Sequence, residues 1–179
     1  MTVGTAKALL VDDRRENLVA LEAILQGLPV DTVAVTSGEA ALKRLLLDDF
    51  AVILLDASMP TMDGFETATH IKQRERTRHI PIIFLTALAY DARLAFRGYQ
   101  IGAVDFITKP FDPWVLRSKV AVFIDLWLKS AELTAQAVDR LALQEAVSKA
   151  LALLGADDRM GATALLQEAQ ARLAANRPR

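Results

Sequence analysis

The sequence predicts a doubly wound α/β fold, a five-stranded parallel sheet with helices on both faces, followed by a long helix and a short helix. Three observations predict it. Short segments rich in Val, Ile, Leu and Phe alternate strictly with segments of helical length. Two of the short segments, AVILLD at 51–56 and IPIIFLT at 80–86, are almost continuously apolar. After Pro113 there is neither glycine nor proline until Gly155. A continuous apolar run is what a strand needs when helices cover both its faces, whereas a half-exposed strand alternates. Strict alternation of the two element types then calls for right-handed crossovers.

The strands are expected at 7–12, 30–36, 51–56, 80–86 and 105–108, each edged by turn or capping residues, and the helices between them at 14–28, 38–47, 65–76 and 92–101. Ser37 precedes GEAALKRLLL and suits an N-cap, because its hydroxyl can accept from a free first-turn amide. The next helix starts at Asp112-Pro113, with Asp112 as cap and Pro113 at the position where a missing amide costs nothing. Run unbroken to Leu154, it would measure about 60 Å at ~1.5 Å per residue. A compact domain covers only its first turns, so the remainder projects or folds back. Gly155 ends it, and Asp157 and Asp158 open a shorter, alanine-rich helix to about residue 175. This divides the chain into a domain at 1–125 and a helical extension at 126–179.

The chain has 179 residues, of which 53% are apolar, enough for one ordinary domain and an appendage. With 21 basic against 22 acidic residues and a net charge of -1, it offers no broad attraction for nucleic acid or an anionic membrane. The absence of cysteine excludes disulfides, thiolate metal sites and cysteine nucleophiles. The opening MTVGTAKALLVDD turns acidic too early for a signal peptide, and no apolar run nears the ~20 residues that span a bilayer. A cytoplasmic location is the expectation, with no membrane and no direct nucleic-acid partner. His70 and His79 read as surface residues rather than ligands.

In a sheet of this kind, the loops at the carboxyl ends of the strands meet at the topological switch point, where ligands bind. Asp12 and Asp13 close the first strand, Asp56 the third, Thr86 the fourth and Lys109 follows the fifth. Three carboxylates held close repel unless a cation compensates them, and an all-oxygen cluster suits Mg²⁺. Mg²⁺ keeps several waters and takes one or two carboxylates, which leaves one free to attack phosphorus. Lys109 would neutralise the resulting acyl phosphate, and Thr86 would hydrogen-bond a phosphoryl oxygen. Positioning and charge neutralisation are most of what phosphoryl transfer requires.

LLVDD at 9–13, LLDASMPTMDG at 54–64, IIFLTA at 82–87 and DFITKPF at 105–111 stand in this order and spacing. Together they resemble the receiver domain of bacterial response regulators, the phosphoacceptor family of two-component and phosphorelay systems, from residue 5 to about 125. The resemblance implies the flavodoxin-like strand order 2-1-3-4-5 and Asp56 as phosphoacceptor. It implies a magnesium or manganese ion held by Asp13 directly, Asp12 largely through water, Asp56, and the backbone carbonyl of Ser58. Thr86, Ala87 and Lys109 would bind phosphate, and the bond before Pro110 would be cis. Thr86 and Phe106 would form a switch that reshapes the face built by the helix at 92–101, the fifth strand and the helix from Pro113. A histidine kinase or phosphotransfer protein would supply the phosphoryl group, and the chain would catalyse only its own phosphorylation and dephosphorylation. Ser58 and Leu88 depart from the usual pattern at positions bordering the water path to the acyl phosphate.

The extension carries Leu126, Leu133, Ala137, Leu141 and Leu151 along an approximate stripe, an apolar surface that calls for a partner. Pairing with a second copy as an imperfect coiled coil is the expectation, with folding back on its own receiver as the competing one. Two further readings are a degenerate receiver acting as a helical adaptor, and a metal-dependent phosphohydrolase with an aspartyl-phosphate intermediate. The second lacks the acid usual for such enzymes two residues beyond the nucleophile, where Ser58 stands.

Overall fold

The computed structural model describes residues 5–87, 98 and 100–175. Five parallel strands, β1 (Ala6–Val11), β2 (Val30–Val35), β3 (Val52–Asp56), β4 (Ile82–Thr86) and β5 (Asp105–Thr108), form one sheet in the order β2-β1-β3-β4-β5. The order follows from burial. All five residues of β3 are buried, as are the first four of β4, and both strands lie inside the sheet. β2 is buried at none of its positions and lies at an edge.

Helices α1 (Arg15–Leu25), α2 (Gly38–Arg44) and α3 (Gly64–Gln73) connect the first four strands. α1 turns Leu18, Leu21 and Leu25 inward at helical spacing. Ser37 caps α2 by accepting from the Ala40 amide at 3.2 Å, and Asp63 caps α3 by accepting from Glu66 at 2.7 Å. These helices stop about three residues earlier than their apolar periodicity extends. After α1 and α2 the chain tightens into turns with bonds three residues apart, Leu28 to Leu25 and Leu47 to Arg44. Such turns satisfy the last carbonyls without prolonging the helix. α3 ends because Arg74 takes an extended conformation. The helix expected at 92–101 lies mostly outside the described residues, as does Leu88; Gly98, Gln100 and Ile101 are helical.

The next described helix, α4, runs unbroken over Pro113–Gly155, and α5 over Arg159–Ala175. Asp112 starts α4, its carboxylate accepting from the Trp114 amide at 2.7 Å. Packing separates the chain into a unit of Gly4–Trp127 and a unit that contains Leu128–Arg179. Within the first, Leu116, Val120 and Ile124 are buried at i, i+4 and i+8, and the Arg117 guanidinium donates to the carbonyls of Ile24 and Gln26.

Within the second unit, the Asp158 carboxylate accepts from the Gly161 amide and starts α5, which flanks a cavity of about 170 Å³ together with α4. Leu143, Ala146 and Lys149 line it from α4, and Leu165, Ala169 and Leu173 from α5. Among the described residues of this unit, Ala150 and Ala162 are buried. At about 100° per residue, Leu133, Ala137, Leu141 and Leu151 fall on the face of α4 turned away from the cavity. All four are exposed, Leu133 to 65%.

Among the described residues, no helix is long and apolar enough to cross a membrane.

Candidate functional site

The carboxyl ends of β1, β3 and β5 bring three charged side chains together. Lys109 Nζ lies 2.8 Å from Asp12 Oδ2 and 2.7 Å from Asp56 Oδ1, so one ammonium bridges two carboxylates. Asp12 is fully buried and Asp56 is 7% exposed. Two buried anions this close would repel strongly without the shared cation. The Lys109–Pro110 peptide bond is cis, and the Lys109 amide donates to the Thr86 carbonyl at 2.7 Å, tying the end of β5 to the end of β4.

Asp56 Oδ2 accepts from the Ser58 amide at 3.1 Å. Behind it, Gly64 opens α3 against the strand. A β-carbon there would lie 2.2 Å from the Asp56 carbonyl oxygen, so only glycine lets the helix start this close to the acidic strand end. This gives the final residue of LLDASMPTMDG a physical reason, since it sets the path of the 57–63 loop around the carboxylate.

Electrostatically the site is tense. Burial pushes the Asp56 carboxyl above its ordinary value and the charge of Asp12 adds to this, while Lys109 and the Ser58 amide pull the other way. For Lys109, burial works against the ammonium, but its hydrogen bonds to Asp12 and Asp56 outweigh it and hold the group above its ordinary value.

Asp13 is exposed: adjacent residues of an extended chain point to opposite sides, so Asp12 turns inward and makes the contacts to Lys109. Ser58 and Ala87 are exposed, and Thr86 is half-buried at the end of β4. The half-buried Phe106 stacks on Phe84 with ring centroids 5.0 Å apart, and Phe84 stacks on Phe65 at 4.7 Å. Asn17 did not stand out in the sequence, yet its amide donates to both Asp12 oxygens. The one signal for it was a carboxamide in the first turn of a helix starting at an acidic strand end. A cavity of about 260 Å³ lies beside the pair, lined by Asp12, Asn17, Leu21, Lys109, Pro110 and Phe111 among others.

Among the described residues, no three acidic or histidine side chains cluster tightly enough to form a metal site by themselves. The donor chemistry nevertheless fits Mg²⁺, which takes one or two carboxylates and completes its shell with water and other oxygens. Asp12 and Asp56 are carboxylates brought to one point, and the chain carries no thiol to favour a softer metal.

A parallel sheet in this order, with two acids and a lysine at its carboxyl edge, defines a doubly wound α/β domain with its site at the switch point. The family profile of the response regulator receiver domain matches residues 8–121, and the chain belongs to that family. It is 39% identical to the response regulator PleD of Caulobacter vibrioides over 117 residues, 65% of this chain and 25% of PleD. A signal receiver domain of a histidine kinase from Syntrophus aciditrophicus superposes with a TM-score of 0.61 at 34% identity, covering 67% of this chain and 90% of that one. The receiver domain of a Pseudomonas aeruginosa sensor histidine kinase, with a magnesium ion coordinated in its active-site cleft, gives 0.61 at 30% identity, covering 68% and 99%. The chain spans about a quarter of the length of the first curated relatives it matches. It is therefore a receiver domain of two-component signalling with a helical extension.

Proposed function

We propose that this chain accepts a phosphoryl group on Asp56 from a histidine kinase or phosphotransfer protein and signals by pairing with a second copy through its C-terminal helices. The observation that carries the first part is the single ammonium of Lys109 bridging the buried carboxylates of Asp12 and Asp56. An Asp56 oxygen attacks phosphorus, the bond to the donor imidazole breaks, and the nitrogen leaves with a proton from solvent. Lys109 follows the new negative charge onto the acyl phosphate, and Thr86 and the Ala87 amide take up phosphoryl oxygens. A magnesium ion held by Asp12, Asp13, Asp56 and the Ser58 carbonyl would neutralise charge on the incoming group. Phe106, opposite Phe84 in the pairing of β4 with β5 and two residues before Thr108, the partner of Thr86, then carries the change to the face of β5 and the start of α4.

The pairing reading is supported by exposure. Leu126, Leu133, Ala137, Leu141 and Leu151 are all exposed on α4, and α5 lies against another face of that helix. A monomer avoids leaving such a stripe bare.

Incubation with Mg²⁺ and acetyl phosphate, followed by intact mass, tests the transfer. The protein gains the mass of one phosphoryl group, and Asp56→Asn gains nothing. Donor turnover without labelling would favour a phosphohydrolase, and no reaction at all a degenerate adaptor. Light-scattering mass with and without beryllofluoride tests the pairing. Twice the chain mass that Leu133→Glu with Leu151→Glu abolishes supports it, and a monomer under both conditions overturns it.

A further inference from the structure

Asn17 has no part in the chemistry above, yet it is bonded to the one carboxylate that the site buries completely. Its Nδ2 donates to Asp12 Oδ1 at 2.9 Å and to Oδ2 at 3.0 Å. Asp12 Oδ1 also accepts from the Arg14 amide at 3.0 Å, and Oδ2 from Lys109 at 2.8 Å. Asp12 Oδ2 is thus shared by a neutral amide and an ammonium, and the same ammonium holds Asp56. For Lys109 to follow charge onto a phosphorylated Asp56, it must loosen its hold on Asp12. A fully buried carboxylate that loses one cation partner is disfavoured unless its other bonds hold it: beside the proposed magnesium ion, the Arg14 amide stays on Oδ1 and Asn17 on both oxygens. Asn17 sits on the third residue of α1, and its bond to Oδ2 does not depend on where Lys109 goes.

We infer that Asn17 is a positioning residue: it keeps Asp12 fixed and hydrogen-bonded while Lys109 moves to the phosphoryl group, and so sets the rate of Asp56 phosphorylation at saturating magnesium. This rests on the proposed phosphoacceptor role of Asp56. Without Asn17, Asp12 competes harder for Lys109, and the ammonium is held back from the transferring group. Loss of one hydrogen bond to a charged group during transfer corresponds to about a tenfold slower reaction.

The test compares wild type, Asn17→Leu, which keeps the branched shape and removes the donor, and Asn17→Gln, which keeps a donor on a longer arm. Phosphorylation by acetyl phosphate is timed at saturating Mg²⁺, Mg²⁺ affinity is titrated directly by calorimetry, and urea unfolding is followed without metal. The expected result is about a tenfold slower rate for Asn17→Leu with Mg²⁺ affinity within about twofold of wild type, and partial recovery in Asn17→Gln. A wild-type rate in Asn17→Leu overturns the inference. So does a slow rate accompanied by a Mg²⁺ affinity weakened about tenfold or more, which would make Asn17 a support of the metal site alone. If Asn17→Leu unfolds, Asn17→Gln and Asn17→Ser carry the test, and equal rates in both folded variants and wild type refute it. Failure of the wild type to be labelled would instead sink the phosphoacceptor reading itself.

Discussion

The ring of Phe106 lies directly against the backbone of Gly98: a β-carbon built on Gly98 would sit 2.0 Å from Phe106 Cζ and within 3.0 Å of two further ring atoms. The bulk of a side chain at 98 is thus replaced by the aromatic ring, which also stacks on Phe84. Gly98→Ala forces the ring out of this position. Overpacking of this kind costs about 1–3 kcal/mol, and the gain in helix propensity returns up to about 1 kcal/mol. A net loss of up to about 2 kcal/mol is expected in urea unfolding, with shifted Phe84 and Phe106 ring resonances. Unchanged ring resonances would show that Phe106 has no need of the bare backbone.

Charge removal at the site should act in opposite directions at its two ends. Lys109→Met leaves Asp12 and Asp56 buried without their shared cation. For a deeply buried pair such a loss costs about 3–5 kcal/mol, and the 23% exposure of the Lys109 side chain reduces this to about 2–3 kcal/mol. Asp56→Asn removes a carboxylate whose charged form burial disfavours, so it should stabilise the fold by about 0.5–2 kcal/mol. Urea midpoints at neutral pH without metal measure both. Destabilisation of similar size in both variants would mean that the site is not electrostatically tense.

Most of the sheet was legible because its signal is strong. β3 and β4 are buried along nearly their whole length, and only a doubly covered strand reads VILLD or IIFL. The acidic strand ends were legible for a related reason, since Asp56 is a charge closing an apolar run. Which member of the Asp12-Asp13 pair turns inward was less visible. It depends on how the chain leaves β1 toward α1, and both residues carry the same chemistry. Asn17 was hidden because its role exists only once the first turn of α1 is laid over Asp12, five residues away. The α4 stripe was read from helical spacing, but the choice of face for α5 needs the close approach allowed by Ala150 and Ala162. Two alanines in an alanine-rich tract give no such hint.

Those two alanines make the next expectation concrete. With both side chains buried to 2% exposure, neither Ala150 nor Ala162 leaves room for a larger group. Ala162→Leu should cost the helix pair about 1–3 kcal/mol. Amide hydrogen exchange across Arg159–Ala175 should rise by one to two orders of magnitude, roughly the equilibrium factor for that loss, while exchange in β3 and β4 stays as in wild type. Protection of α5 equal to wild type would mean that the pairing does not rest on small residues.

Acid sensitivity should report a cluster at the amino-terminal ends of β1 and β3, away from the phosphorylation chemistry at their carboxyl ends. Asp48 forms an ion pair with Lys7, the second residue of β1, and with Arg44 Nε at 2.8 Å, which ends α2. The hydrogen bond from Lys7 does most to hold the Asp48 carboxyl below its ordinary value of 3.8; burial opposes it, and the charges of Arg44 and Lys7 add to it. A carboxyl lowered in the folded state binds fewer protons there than in the unfolded chain. Its contribution is therefore complete above the ordinary value and is lost as pH falls through the folded one. Asp48→Asn should destabilise the protein at pH 7, and the difference from wild type should shrink steadily below pH 3.8. Because other carboxylates titrate in both proteins, their contributions largely cancel in that difference when the sites are independent. Urea midpoints for the two proteins at neutral pH and at two acid values decide the matter. A difference that stays constant through the acid range would assign the loss in Asp48→Asn to packing rather than to the Lys7–Asp48–Arg44 charges.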